Sequence, residues 1–147
     1  MAKFKNNKPI ILITARVHPL ETPSSFVIKG IIDFLTNLDD ARAYILRKHF
    51  VFFLVPMLNP DGVARGHFRM DIFNQNLNRY YNTPDLQKQP SCYAIRKIVE
   101  HYNIDKRLFF YLDLHAHPVN KGNFVFGNAI YDYIMQVESN VFPKLLS

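Results

Sequence analysis

Three apolar runs limit what this chain can fold into. Residues 9–15 (PIILITA), 50–55 (FVFFLV) and 108–114 (LFFYLDL) are almost free of polar interruption. A strand with one wet face alternates apolar and polar side chains, whereas a strand buried on both faces reads as a continuous apolar run. Helical patterns lie between these runs. Thr22 can cap a helix with Pro23 at its first position. Phe26, Val27, Ile31, Phe34, Leu35 and Leu38 then recur at helical spacing. Asp39 or Asp40 can cap a short helix running to about Lys48. Pro90 opens another, with Ala94, Ile95, Ile98, Val99 and Tyr102 on one face. A short fourth strand is expected over residues 123–126, and a closing helix from about Tyr131. Residues 59–85, rich in Asn, Asp, Gly and Pro, read as a long loop of the kind that often carries function. Strands alternating with helices predict an α/β fold with a mainly parallel sheet, mixed at most, and flanking helices.

In such sheets ligands bind beyond the carboxyl ends of the strands. That rim is where the polar clusters fall. His18 and Glu21 (ARVHPLET) follow the first run, the 59–79 loop follows the second, and His115 (YLDLHAH) follows the third. A catalytic zinc takes three protein ligands from His, Asp or Glu and keeps a fourth position open. A His-x-x-Glu pair with a distant His can supply that set. Zinc lowers the pKa of a bound water toward neutrality, which makes hydrolysis the leading reaction class. Taken alone, the pair also suits a surface His beside a helix-capping Glu. In the second cluster, NPDG is a turn signal. Arg69, Asn78 and Arg79 stand out because a guanidinium binds carboxylates bidentately. An Asn-Arg pair could clamp a C-terminal carboxylate, and a separate Arg could stabilise an oxyanion. Solvated surface arginines are the plain alternative.

The bulk properties narrow the class further. The chain has 147 residues, 48% of them apolar, with thirteen Phe and eight Tyr. That is one domain with an aromatic core and not a disordered segment. The net charge of +6 favours an acidic partner, although a basic surface kept for solubility explains it equally. No basic run with interleaved aromatics argues for nucleic acid. No apolar run is long enough to span a bilayer. The basic, then apolar, start ends at Arg16 without a small-residue cleavage site and reads as the first strand rather than a leader. Cys92 is the only cysteine, so no disulfide forms within the chain.

The segments ARVHPLETPSSFVIKG, VPMLNPDGVARGHFR, NLNRYY and DLHAH with the following GNFVFGN resemble the zinc carboxypeptidases of the funnelin type, specifically the cytosolic carboxypeptidases. NLNR and the tail QVESNVFPKLLS are nearest to a tubulin-deglutamylase branch. The resemblance runs from Ile10 almost to the end of the chain. It implies a zinc carboxypeptidase-like fold and one Zn2+ held by His18, Glu21 and His115. It makes Arg69 the residue that polarises the scissile carbonyl, and Asn78 with Arg79 the holders of the substrate's terminal carboxylate. Asn76 matches a position where relatives use Asp to orient the first zinc histidine. Asp113 and His117, beside the third ligand, are read as structural. The implied partners are acidic peptides or polyglutamylated tubulin tails, with no nucleic acid and no membrane, and the implied compartment is the cytoplasm.

The pattern also departs from the family. Leu20 stands where Gly is usual, Ala116 replaces a Gly, and NQNLNR replaces a common Gly-Val before its last four residues. The family's catalytic glutamate and substrate-contacting tyrosine lie on later segments, and Glu138 does not match that glutamate. Residues 1–147 are therefore expected to be the N-terminal half of a zinc carboxypeptidase catalytic domain, ending before the last strands. Two rivals remain: an inactive homologue that binds zinc or acidic tails, and an aspartoacylase-like amidohydrolase. The NPDG and NLNR segments favour the peptidase over the latter.

Overall fold

A computed structural model of the chain describes residues 7–146. β1 (Ile10–Ala15) lies between β2 (Val51–Val55) and β3 (Leu108–Leu114), in the order β2-β1-β3 with both pairings parallel. Leu12 is level with Phe53 on one side and Tyr111 on the other, and Thr14 is level with Asp113. Among the described strands only β1 has a neighbour on each side. Its residues Ile10, Leu12, Thr14 and Ala15 are fully buried. β2 is half-buried along its length, and β3 leaves Phe109 exposed. Burial on both faces, expected of the first run, holds for β1, whereas the second run, expected as a buried strand, is only half-buried. The cause is position, since an edge strand lacks a neighbour to cover its flank.

Helices cover both faces of β1, and the pleat sorts its side chains between them. Leu12 packs with Val17, Leu58, Leu77, Cys92 and Ile95, joined by Ile98 and Val99 of α4 (Pro90–Ile104). Ile13 and Ala15 pack with Ile28, joined by Ile31 and Ile32 of α1 (Pro23–Thr36). The stripe that α1 buries is Ile28, Ile31, Ile32 and Leu35, at helical spacing. Phe26, Val27 and Leu38, expected on the inner face, are exposed. Ala94 of α4 is exposed too. Pro23 opens α1 as expected, but Thr22 makes no side-chain cap because its own backbone is already helical (φ −55°, ψ −33°). Asp40 caps α2 (Ala41–His49), its carboxylate accepting from the amides of Arg42 and Ala43. The 59–85 segment is more ordered than a loop. It contains α3 (Pro60–Ala64) and a 3-10 turn at Leu77–Arg79.

Contacts divide the chain into two units, one reaching Ala116 and one starting at His117. In the second, residues 123–126 form no strand, because a strand needs a ladder and none of the described residues of this unit pairs with them. The helix expected from about Tyr131 is two short ones, α5 (Tyr133–Ser139) and α6 (Val141–Leu146). Glu138 lies in α5. Among the described residues no helix is long and apolar enough to cross a membrane.

Candidate metal centre

The first unit holds the site, and its architecture begins where β1 ends. Arg16 turns the chain in the left-handed region (φ 60°), which L-residues seldom adopt. Its guanidinium donates to the Pro19 carbonyl and to Ser25 Oγ, both at 2.7 Å, and so ties the following loop to α1. The NPDG segment fastens the same loop from the other side. Asn59 donates its backbone amide to the Arg16 carbonyl (3.3 Å) and its side-chain Nδ2 to the Val17 carbonyl (3.2 Å). Its Oδ1 accepts from Gly62 N at 3.0 Å. A Cβ on Gly62 would lie 2.7 Å from both Asn59 Oδ1 and Pro19 Cγ, so only glycine lets α3 approach this closely. NPDG is thus a brace for the His18 loop as well as a turn. Leu20 fits without strain in place of the family's usual glycine. Its backbone is not left-handed, its side chain is exposed, and its amide donates to the Phe68 carbonyl at 3.0 Å.

His18, Glu21 and His115 come together, with one ligand atom from each lying within 4.8 Å of the others. His18 is buried (2% exposed) and His115 is partly exposed. Their rings are 5.1 Å apart, centroid to centroid. His18 Nδ1 lies 2.6 Å from Glu21 Oε1, and His115 Nδ1 lies 2.9 Å from Glu21 Oε2. The far nitrogens point the other way. His18 Nε2 is 2.9 Å from Asn76 Oδ1, and His115 Nε2 is 3.0 Å from Asp113 Oδ2. The Asn76 oxygen also accepts from Asn78 N at 3.2 Å, which fixes its amide orientation. Both far partners are acceptors, so both Nε2 atoms carry hydrogen. In the neutral rings each Nδ1 then presents a lone pair toward the Glu21 carboxylate.

Two lone pairs and an anionic oxygen this close need positive charge among them. Protons can supply it. Burial pushes His115 toward the neutral form, but its hydrogen bonds to Asp113 and Glu21 outweigh this and raise its pKa to about 9. Burial likewise opposes the Glu21 charge. Hydrogen bonds from His115, His18 and the Ala116 amide overcome that and hold its carboxyl well below the usual carboxylate range. A divalent cation does the same with more charge. Two imidazole nitrogens and one carboxylate oxygen fit the three-ligand set of a catalytic zinc.

Arg69 stands beside this cluster, its Nη1 3.7 Å from Glu21 Oε1. Asn78 and Arg79 follow Asn76 in the 3-10 turn. Asn78 donates its amide to Asn76, and Arg79 Nη1 donates to the Asn78 carbonyl at 3.2 Å with its side chain exposed. Asp113, read from the sequence as structural, lies two residues before His115 and accepts from its Nε2 through Oδ2.

A family model described as zinc carboxypeptidase matches residues 2–93, a stretch that contains His18, Glu21 and Arg69. Mouse (Mus musculus) cytosolic carboxypeptidase 6 is 43% identical over 143 residues, covering 96% of this chain and 26% of that protein. Rat (Rattus norvegicus) cytosolic carboxypeptidase-like protein 5 is 50% identical over 101 residues, covering 69% of this chain and 12% of that protein. Among solved structures, a metallo-carboxypeptidase from Burkholderia cenocepacia superposes with a TM-score of 0.69 at 26% identity, over 80% of this chain and 30% of that one. The chain spans about a quarter or less of the length of these curated relatives. With a carboxypeptidase-like sheet, a His-Glu-His cluster on its rim and a family match over most of its length, the chain belongs to the zinc carboxypeptidase family.

Proposed function

We propose that this chain carries the metal and substrate-binding groups of a metallocarboxypeptidase that removes glutamate from acidic tails, polyglutamylated tubulin among them, in the cytoplasm. The observation that carries the reading is the convergence of His18 Nδ1, Glu21 and His115 Nδ1, with both Nε2 atoms held by acceptors behind them. Similarity to proteins named cytosolic carboxypeptidases and the net charge of +6 support the choice of substrate and compartment.

His18, Glu21 and His115 would hold one zinc ion, which when bound supplies the Lewis acidity that lets water attack a peptide carbonyl near neutral pH. Arg69, next to Glu21, would donate to the carbonyl oxygen as negative charge builds on it. Asn78 and Arg79 would bind the free carboxylate of the last residue and so select a chain end over an internal bond. A second carboxylate on that residue suits a basic protein.

Zinc stoichiometry in the full chain tests the site. Wild type is expected to hold one ion per chain, and His18→Ala or His115→Ala to lose tight binding. Full occupancy in both variants would reject the ligand set. The clamp is tested separately with glutamate-ended peptides. Arg79→Ala is expected to weaken free-acid peptides at least about tenfold, as for a charge-assisted hydrogen bond, and to leave amidated ones nearly unchanged. Equal loss for both would show that Arg79 does not read the terminus.

A further inference from the structure

We propose that Asp113 is a positioning residue of the metal centre: it fixes the His115 ring and gives its Nε2 a negative partner, where the Nε2 of His18 has a neutral amide. The proposal rests on the metal-site reading above and adds a residue and an asymmetry to it.

Asp113 is set by the sheet. It is level with Thr14 across the β1–β3 pairing, and Thr14 is fully buried. Thr14 Oγ1 donates to Asp113 Oδ1 at 2.6 Å. The Thr14 hydrogen is thereby used, so the Tyr111 hydroxyl, 3.3 Å from Thr14 Oγ1, must be the donor in that pair. Tyr81 donates to Asp113 Oδ2 at 3.4 Å, and His115 Nε2 reaches the same oxygen at 3.0 Å. Each carboxylate oxygen therefore has a donor, and the side chain cannot rotate without leaving a buried hydroxyl unpaired. One anchored oxygen aimed at Nε2 selects the tautomer that offers Nδ1 to a metal.

The two histidines have unlike supports. His18 leans on the neutral amide of Asn76, whose oxygen is already shared with the Asn78 amide. His115 leans on a carboxylate. A carboxylate behind an imidazole makes it a stronger ligand, and an amide does so less. Asp113 is thus the charged support behind a ligand at this centre, and the amide of Asn76 is the neutral one.

Zinc affinity, measured by competition with a chromophoric chelator at a temperature where each chain is folded by circular dichroism, tests this. Asp113→Asn is expected to bind zinc about 10- to 100-fold more weakly than wild type. A purely structural Asp113 would lower the thermal midpoint and leave the affinity of the folded chain unchanged, and that result would overturn the proposal. A second measurement does not depend on the variant. Long-range 1H–15N correlation on the zinc-loaded wild type is expected to show the His115 proton on Nε2; a proton on Nδ1 would overturn the proposal. A wild type that binds no zinc would remove the metal-site reading and this inference together. Zinc binding as tight in Asp113→Asn as in wild type would remove this inference alone.

Discussion

The region up to Ala116 and the region from His117 are both rich in apolar residues, yet only the first buries them. Leu12, Val17, Ile28 and Cys92 are almost or wholly inaccessible in the first. In the second no described residue is buried, and Phe126, Tyr131 and Leu145 stand open to water. Hydrophobicity alone does not explain the contrast. β1 brings two parallel neighbours with it, and their connections lay α1 and α4 on opposite faces, so each apolar side chain meets another. The helices α5 and α6, of 7 and 6 residues, are below the length at which an isolated helix holds in water. They rest on local bonds instead, such as the Asp132 carboxylate accepting from Met135 N and the Gln136 Oε1 accepting from Ile130 N. Burial follows from partner surfaces, and those come from topology.

Substitutions matched across the two regions would break this comparison if it is wrong. The largest effect is expected from Leu12→Ala, which empties a site at the centre of the sheet and should cost about 2–5 kcal/mol. Leu145→Ala, 79% exposed, should stay within about 0.5 kcal/mol. Urea unfolding reads both, and similar losses would mean that the second region is packed after all. Next comes a glycine pair. Gly62→Ala places a methyl against Asn59 and Pro19 and should cost about 1–3 kcal/mol. It should also weaken zinc binding, because the brace and the His18 loop move together. Gly127→Ala meets nothing within 4 Å and should be close to neutral. Thermal midpoints and zinc titration check the pair, and unaltered zinc affinity in Gly62→Ala would separate the brace from the site.

A third effect vanishes at neutral pH and grows in alkali. Burial pushes the Cys92 thiol up to about 11 from an ordinary 9.0. Well below pH 9 the thiol is protonated in both states and contributes no slope. Between about 9 and 11 the unfolded chain releases a proton that the folded chain keeps, so stability falls as pH rises. Burial raises Tyr81 and Tyr111 in the same direction. Cys92→Ala should flatten the alkaline limb of a stability–pH curve, and an unchanged limb would show that the thiol is not what titrates.

Much of the first region could be read directly. Unbroken apolar runs marked its strands, and Pro23, Asp40 and Pro90 marked helix starts, because these signals act within a few residues. The contacts that shape the site were less legible. Asn59 and Gly62 read as a turn, and nothing local to NPDG says that it braces a loop more than forty residues earlier. Asp113 read as a neighbour of a ligand, since only the Thr14 register shows that its carboxylate is anchored. The strand expected at 123–126 failed for the converse reason. Its composition suits a strand, but a strand exists only where another pairs with it.

The sequence by itself determined which chemistry was available: two histidines, a glutamate and three arginine or asparagine side chains. Only His18, Glu21 and His115 closely follow an apolar run, while Arg69, Asn78 and Arg79 lie in the long segment after the second one. The sequence could supply this because residue type fixes donor atoms and local pattern fixes element type. Tertiary structure alone decided which nitrogen of each histidine faces the glutamate, which partner stands behind it, and which strand is central. Those depend on register and on packing between segments some sixty to a hundred residues apart. No local preference encodes such distances, and only the folded sheet brings them within a hydrogen bond.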